Sequence, residues 1–206
     1  GGSPIMGRIR YDHSTNSMDF RVNNDEAMRI TSSGNVGIGC VPNSIQSNFD
    51  TLQIGGNLTL NVDSTGVGAG AYMGNNVYRD STHSRWEYIY TDEATQYVQG
   101  NGTHMWRIAS SGSADTPISW TEAMRIDNSA NLLVGTTTTG VASSSSVQGI
   151  QISPTTLSVA RSGGQAAFFN RQTNDGAIVD FRKDGSTVGS VGANGSYPYI
   201  GSHGTS

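Results

Sequence analysis

Glu26-Ala27-Met28-Arg29-Ile30-Thr31-Ser32-Ser33-Gly34-Asn35-Val36-Gly37-Ile38-Gly39 recurs at residues 122–135 as Glu122-Ala123-Met124-Arg125-Ile126-Asp127-Asn128-Ser129-Ala130-Asn131-Leu132-Leu133-Val134-Gly135. Roughly half of the positions are identical and most of the others keep their polarity, so the chain is an array of similar units. Each unit holds two short strand-like runs, Ala-Met-Arg-Ile and Val-Gly-Ile or Leu-Leu-Val, joined by a polar turn. A strand–turn–strand unit of this size cannot bury its apolar face alone. It needs partners.

Composition points the same way. Of the 206 residues, 34% are hydrophobic and 14% charged, and 27 are glycine. Both shares lie below those of ordinary soluble domains. The net charge of −4 is too small for a typical disordered chain. It gives no electrostatic reason to expect nucleic acid, and no basic run occurs. One cysteine, Cys40, cannot form an internal disulfide and reads as a small buried hydrophobe beside Ile38. No apolar stretch reaches membrane-spanning length.

Helix signals are nearly absent, the best short candidate being residues 92–97. Strand signals are frequent. Leu52-Gln53-Ile54 and Leu58-Thr59-Leu60-Asn61-Val62 alternate with period two, and Trp86-Glu87-Tyr88-Ile89-Tyr90 puts three aromatics on one face. Ile118-Ser119-Trp120 and Ala167-Phe168-Phe169 also read as strands. Residues 136–146 are a Thr/Ser-rich stretch with the character of a linker. The predicted organisation is an N-terminal β repeat (1–50), an aromatic-rich β unit ending in the second repeat copy (51–140), and a linker with a C-terminal β segment (141–206). The fold class is all-β. Short strands with so little core per chain are protected when identical chains wrap a shared axis.

The stretch from Gly7-Arg8-Ile9-Arg10-Tyr11-Asp12-His13-Ser14 through Met18-Asp19-Phe20-Arg21 to Gly39 resembles the repeat of bacteriophage tail fibres and tailspikes. The chain departs from that pattern at Cys40, where threonine is usual. Trp86-Glu87-Tyr88-Ile89, Gly102-Thr103-His104-Met105-Trp106 and Ile118-Ser119-Trp120-Thr121-Glu122 are similar to a second unit of such fibres. Phe181-Arg182-Lys183-Asp184-Gly185-Ser186-Thr187-Val188-Gly189-Ser190 resembles the strand pair that often precedes a self-cleaving C-terminal chaperone domain. The chaperone itself is not recognisable, so the chain reads as a fragment of a longer fibre. The resemblance implies an elongated homotrimer carried on a virion, with other tail or baseplate proteins as partners. It identifies no ligand.

Four histidines, His13, His83, His104 and His203, show no metal-ligand spacing among themselves, and neither a metal nor a cofactor is expected. Polysaccharide hydrolysis needs two carboxylates flanking one bond. Glu87, Asp92 and Glu93 are the candidates, against a reading in which Glu87 points to solvent and Asp92-Glu93 opens a turn. Gly34-Asn35-Val36-Gly37-Ile38-Gly39 evokes a dinucleotide loop, but no helix follows. The aromatics between Tyr72 and Trp120 read chiefly as trimer core. A partly exposed subset, Trp86 and Tyr88 with the amides Asn75, Asn76 and Gln96, is the candidate glycan site. Ile30, Ile38, Ile126 and Val134 are the expected trimer-core residues. The expected role is therefore structural and receptor-binding, not enzymatic, without membrane insertion and directed at a bacterial surface polysaccharide. A polysaccharide-degrading tailspike fragment and a passive shaft are the alternatives.

Overall fold

A computed structural model of the chain describes residues 7–63, 66 and 68–202. Among them there is no helix, and eighteen strands carry the fold. They are β1 (Gly7–Asp12), β2 (Ser17–Val22), β3 (Asp25–Ile30), β4 (Val36–Ile38), β5 (Phe49–Ile54), β6 (Leu58–Asp63), β7 (Ala71–Asn75), β8 (Val77–Arg79) and β9 (Trp86–Tyr88). Then come β10 (Asp92–Gly100), β11 (Thr103–Gly112), β12 (Thr121–Ile126), β13 (Leu132–Val134), β14 (Gly149–Ile152), β15 (Leu157–Ala160), β16 (Gly176–Lys183), β17 (Ser186–Asn194) and β18 (Tyr197–Ser202). The chain divides into two compact units, Gly1–Ala160 and Arg161–Ser206. Residues 50 and 140 both fall inside the first, whose sheet continues past each of them.

The first unit is a 13-stranded sheet in the order β1 to β7, then β10 to β15, with the β8–β9 hairpin apart from it. Tight turns set much of its register. Asn23 and Asn24, and likewise Asn101 and Gly102, take positive φ at both central positions, the type I′ geometry that matches strand twist. Residues 92–97, the best of the weak helix candidates, are instead the start of β10, whose alternating burial over Glu93–Gly100 suits a half-buried strand. Residues 118–120 are not a strand, because Ile118 and Trp120 turn inward to pack beside Tyr88, Ala94 and Ala109. Residues 167–169 also lie outside any strand.

The two repeat copies occupy equivalent places. In both, a β-bulge interrupts the pairing with the preceding strand, after Phe20 in the first and after Trp106 in the second. Arg21 then faces Glu26, and Arg107 faces Glu122, leaving Ala27 and Ala123 as the extra residues. Residues three apart on a regular strand face opposite ways. The bulge brings them to one side, so Arg29 grips Glu26 and Arg125 grips Glu122 in matching two-pronged ion pairs. The bulged carbonyls of Ala27 and Ala123 accept from the N–H of Gly39 and Gly135. Gly34 holds a positive φ in the first β-turn, and Ala130 holds the same conformation in the second.

The equivalence extends through β14 and β15. Gln53 and Gln151 each accept backbone N–H groups of the preceding loop, from Asn43 and from Gly140. Ile54 pairs Leu58 and Leu52 pairs Leu60, as Ile152 pairs Leu157 and Ile150 pairs Val159. One difference stands out: β4 and β5 run parallel, whereas β13 and β14 run antiparallel.

The sheet has two chemically distinct faces. Following the register, Ile9, Tyr11, Met18, Phe20, Met28, Ile30, Val36 and Ile38 share one face with Leu52, Leu60, Met73, Trp106, Met124, Ile126, Val134, Ile150 and Leu157. Much of this face is open to solvent; Ile9 is 70% exposed. The reverse face carries Asp19, Thr51, Gln53, Thr59, Asn61 and Gln96, all buried. Over its middle lie the β8–β9 hairpin and flanking loops, with Ile45, Phe49 and Tyr78 in one cluster and Tyr88, Ala94 and Ala109 in another.

The second unit holds a three-stranded antiparallel meander, β16–β17–β18. Asp184 and Gly185 form its first turn with positive φ. Val179, Val191 and Ile200 align across it.

Candidate functional site

The five residues of the expected glycan site are not brought to one surface. Asn75 ends β7 on the apolar face and is exposed. Asn76, next in sequence, has φ 59° and is buried. Its Nδ2 donates to the carbonyls of Tyr90 (3.1 Å) and Glu93 (3.0 Å), and its Oδ1 accepts from the N–H of Tyr90 (2.7 Å). The side chain thus clamps the segment after β9 onto the sheet. Gln96 lies on the reverse face, where its Oε1 accepts from Arg107 (2.7 Å). Burial pushes the Arg107 guanidinium down, and it rests over the Trp120 ring at 5.4 Å.

The aromatics divide in the same way. Trp86 packs against Tyr72 and Phe49, with centroids 5.0 and 5.7 Å away, and Arg79 lies over its ring. Tyr88 is 5% exposed, donates its O–H to the carbonyl of Ser110 at 2.6 Å, and lies against Gly112, where a Cβ would sit 2.3 Å from the ring. These rings form the chain's own inner layer. The Asn76 amide, bonded on both sides to the chain's own backbone, has little left to offer a sugar, and the Gln96 amide is buried on the reverse face.

Glu87 differs from its expected solvent-facing position, being 2% exposed. Arg85 holds its Oε1 at 2.7 Å, and the Tyr78 hydroxyl reaches Oε2 at 2.9 Å. Tyr78 also lies 3.0 Å from Asp115. Burial, then these two carboxylates, push the Tyr78 phenol well above its ordinary range. Asp92 and Glu93 stand exposed at the start of β10.

Asp80 accepts from the N–H of Thr82 and of His83 and from the His83 ring, at 2.9, 2.6 and 2.8 Å. Burial alone would raise its carboxyl, but the bonds from His83 and Thr82 outweigh it and hold it below the usual range. Ligand atoms of Asp80, His83 and Glu87 lie within 4.8 Å of one another. One imidazole with two carboxylates is a donor set suited to a divalent cation. Arg85 and the backbone N–H groups already neutralise it. Histidine spacing alone does not reveal this trio, whose signal is Asp-x-x-His-x-x-x-Glu across a hairpin. His13 packs edge-on against Tyr11, His104 meets the Tyr97 hydroxyl at 2.5 Å, and His203 lies outside the described residues.

The most extensive exposed feature among the described residues of the first unit is the apolar face itself. Ile38, Ile126 and Val134 are exposed on it and Ile30 is half-buried, so all four expected trimer-core residues share one surface. A shallow groove of about 610 Å³ crosses its middle, lined by Leu58, Met73, Tyr97, Trp106 and Ile108. A face of this extent on a monomer marks an interaction site. Comparison of the chain with known protein families, with curated proteins and with solved structures finds no match.

Proposed function

We propose that the chain is a structural segment of a homotrimeric β fibre of the phage-tail type, its apolar sheet face turned inward against two other copies. The observation that carries this reading is the inversion of the sheet. Its buried side is polar and locked by hydrogen bonds, while its open side is aliphatic and aromatic over thirteen strands. Packing three such faces together removes the exposed side chains from water, at roughly 25 cal/mol per Å² of apolar surface. On a virion this segment spaces other fibre parts toward a bacterial surface glycan. The passive-shaft role is favoured over a sugar site at Tyr88 because the amides there are already engaged. Sedimentation equilibrium tests the proposal: three times the chain mass of 21.7 kDa supports it, and a folded species of single-chain mass overturns it.

A further inference from the structure

The sheet is periodic, and its second period stops one strand short. The first period runs β1 to β7; the second runs β10 to β15, in which β15 corresponds to β6. In the first period β6 passes its outer edge to β7, with Leu60 opposite Met73 and Val62 opposite Ala71. In the second, β15 ends the sheet, and among the described residues no strand lies on its outer edge. The sequence nevertheless contains a counterpart of β7. Ala71-Tyr72-Met73-Gly74 matches Ala167-Phe168-Phe169-Asn170 in type, and a glycine-bearing connection precedes each. That segment is in no strand, and its two rings are 80% and 69% exposed. One chain therefore has an open edge without a strand, and a strand-forming run without an edge.

We propose that residues 167–170 of one copy add to the free edge of β15 in a second copy, each chain giving one strand and receiving one. Complementary, non-identical surfaces of this kind form a head-to-tail contact, which closes into a ring when the rotation allows. Three copies in a closed ring pair every β15 edge with one 167–170 strand, while the β1 edge of each sheet stays outside the exchange. Strand addition supplies backbone hydrogen bonds for affinity and alternate side chains for register. β15 runs opposite to β6 in the sheet, so its free edge is the other hydrogen-bonding edge. A pairing with the side-chain alignment of β6–β7 sets Phe169 opposite Val159, on the apolar face beside Ile150, and Phe168 on the reverse face where Tyr72 stands in the first period. This deepens the proposed trimer and rests on it.

The test replaces Val159 and Phe169 with cysteine in the full chain, with Cys40→Ser removing the native thiol. Directly opposed residues of an antiparallel pair have Cβ atoms about 5 Å apart, close enough for a disulfide after small adjustment. Oxidation of the assembled V159C/F169C protein with oxidised glutathione should link chains to one another on a non-reducing gel. A refolded mixture of the two single variants should link unlike copies at a quarter of the junctions, and neither variant should link alone. A disulfide confined within single chains overturns the exchange, as does a mixture that forms none. If sedimentation still gives a trimer in either case, the trimer stands and the exchange falls; a monomer mass removes both. Amide hydrogen exchange of the unsubstituted protein checks the same point without mutation. The amides of 167–170 should be protected in the assembled state and exchange freely after dilution below it, and equal exchange in both states refutes the proposal.

Discussion

Ile126→Asp separates the two faces of the sheet more sharply than any other single change. In the isolated chain Ile126 is 37% exposed on β12, between His104 of β11 and Leu132 of β13. A carboxylate there stays in contact with water, so the single chain should lose only about 1 kcal/mol, near the ordinary range for surface substitutions. In the proposed trimer the same position would face inward in all three copies. Each buried unpaired charge costs several kcal/mol. At a conservative ~3 kcal/mol per chain the trimer loses roughly 9 kcal/mol, and at about 1.4 kcal/mol per tenfold the association constant falls by about six orders of magnitude. Sedimentation velocity across a concentration series, with far-UV circular dichroism on the same samples, reads both quantities. The variant should keep its β spectrum and sediment as a single chain. Asn128→Asp, which adds the same charge in the neighbouring exposed turn, should remain trimeric. An Ile126→Asp protein that assembles at wild-type concentrations refutes the inward placement of this face.

Tyr88→Ala should cost about 3–5 kcal/mol in urea unfolding, because it empties a packed site; Tyr88→Phe, which removes only the bond to Ser110, should cost about 1 kcal/mol. A loss of cell-surface binding without loss of stability would instead restore a recognition role to that ring. Gly74→Ala should destabilise by about 1–3 kcal/mol, since its Cβ would lie 2.2 Å from Val77 Cγ1 and the β8 hairpin must lift; an unchanged melting temperature would sink this account. Ala130→Gly should stabilise by about 1 kcal/mol, because Ala130 sits at φ 61° where the first copy has Gly34; a loss of stability would show that the turn carries no strain. Asp19, hydrogen-bonded by Arg10 and then Arg21, and Glu26, gripped by Arg29, both have carboxyls held below their usual range. A carboxyl lowered in the folded state stabilises above its unfolded value and loses that contribution as pH falls through the folded one. Stability should therefore decline below about pH 4, and Asp19→Asn should flatten the decline; an unaltered acid limb in the variant would exclude Asp19 as its source.

The strands were legible where a short apolar run met a turn with its own chemistry. Met28 to Ile38 and Met124 to Val134 show both signals, and the all-β class follows from them. The bulges were not legible. Glu26 and Arg29 are three apart, a spacing that on a regular strand puts them on opposite faces, and only the extra residue Ala27 reconciles it. Residues 92–97 are the best short helix candidate in a chain nearly without helix signals, and pairing with both β7 and β11 overrides that weak local preference. The aromatic–amide stretch misled for a different reason. Trp86 and Tyr88 alternate as surface platforms would, yet the loops fold that hairpin over the polar side of the sheet, and the rings become its cover. No local pattern encodes which side of a sheet a later hairpin will cover.

That cover explains why the sheet can afford an inverted face. An ordinary two-layer domain buries the aliphatic side of its sheet and leaves the polar side wet. Here the second layer, β8–β9 with the loops around Ile45 and Ile118, settles on Gln53, Thr59, Asn61 and Gln96. Burying such groups costs least when they are bonded, and most here are, with Asn61 Nδ2 and Gln96 Nε2 the buried donors without a partner among these side chains. Thr51 donates to Asn61, Gln53 to Asn43 and the Gly56 carbonyl, and Thr59 to the Val77 carbonyl. Hydrogen bonds are directional, so this side accepts one arrangement of strands and resists sliding. The aliphatic side has no such directionality and suits a surface that must meet copies of itself along its whole width. The polar side thus fixes the strand arrangement within each chain, and in the proposed trimer cohesion between chains would fall to the apolar one. If the directional bonds of the polar side hold the strands in place before the proposed assembly, the apolar face loses less conformational entropy on association than a flexible one would.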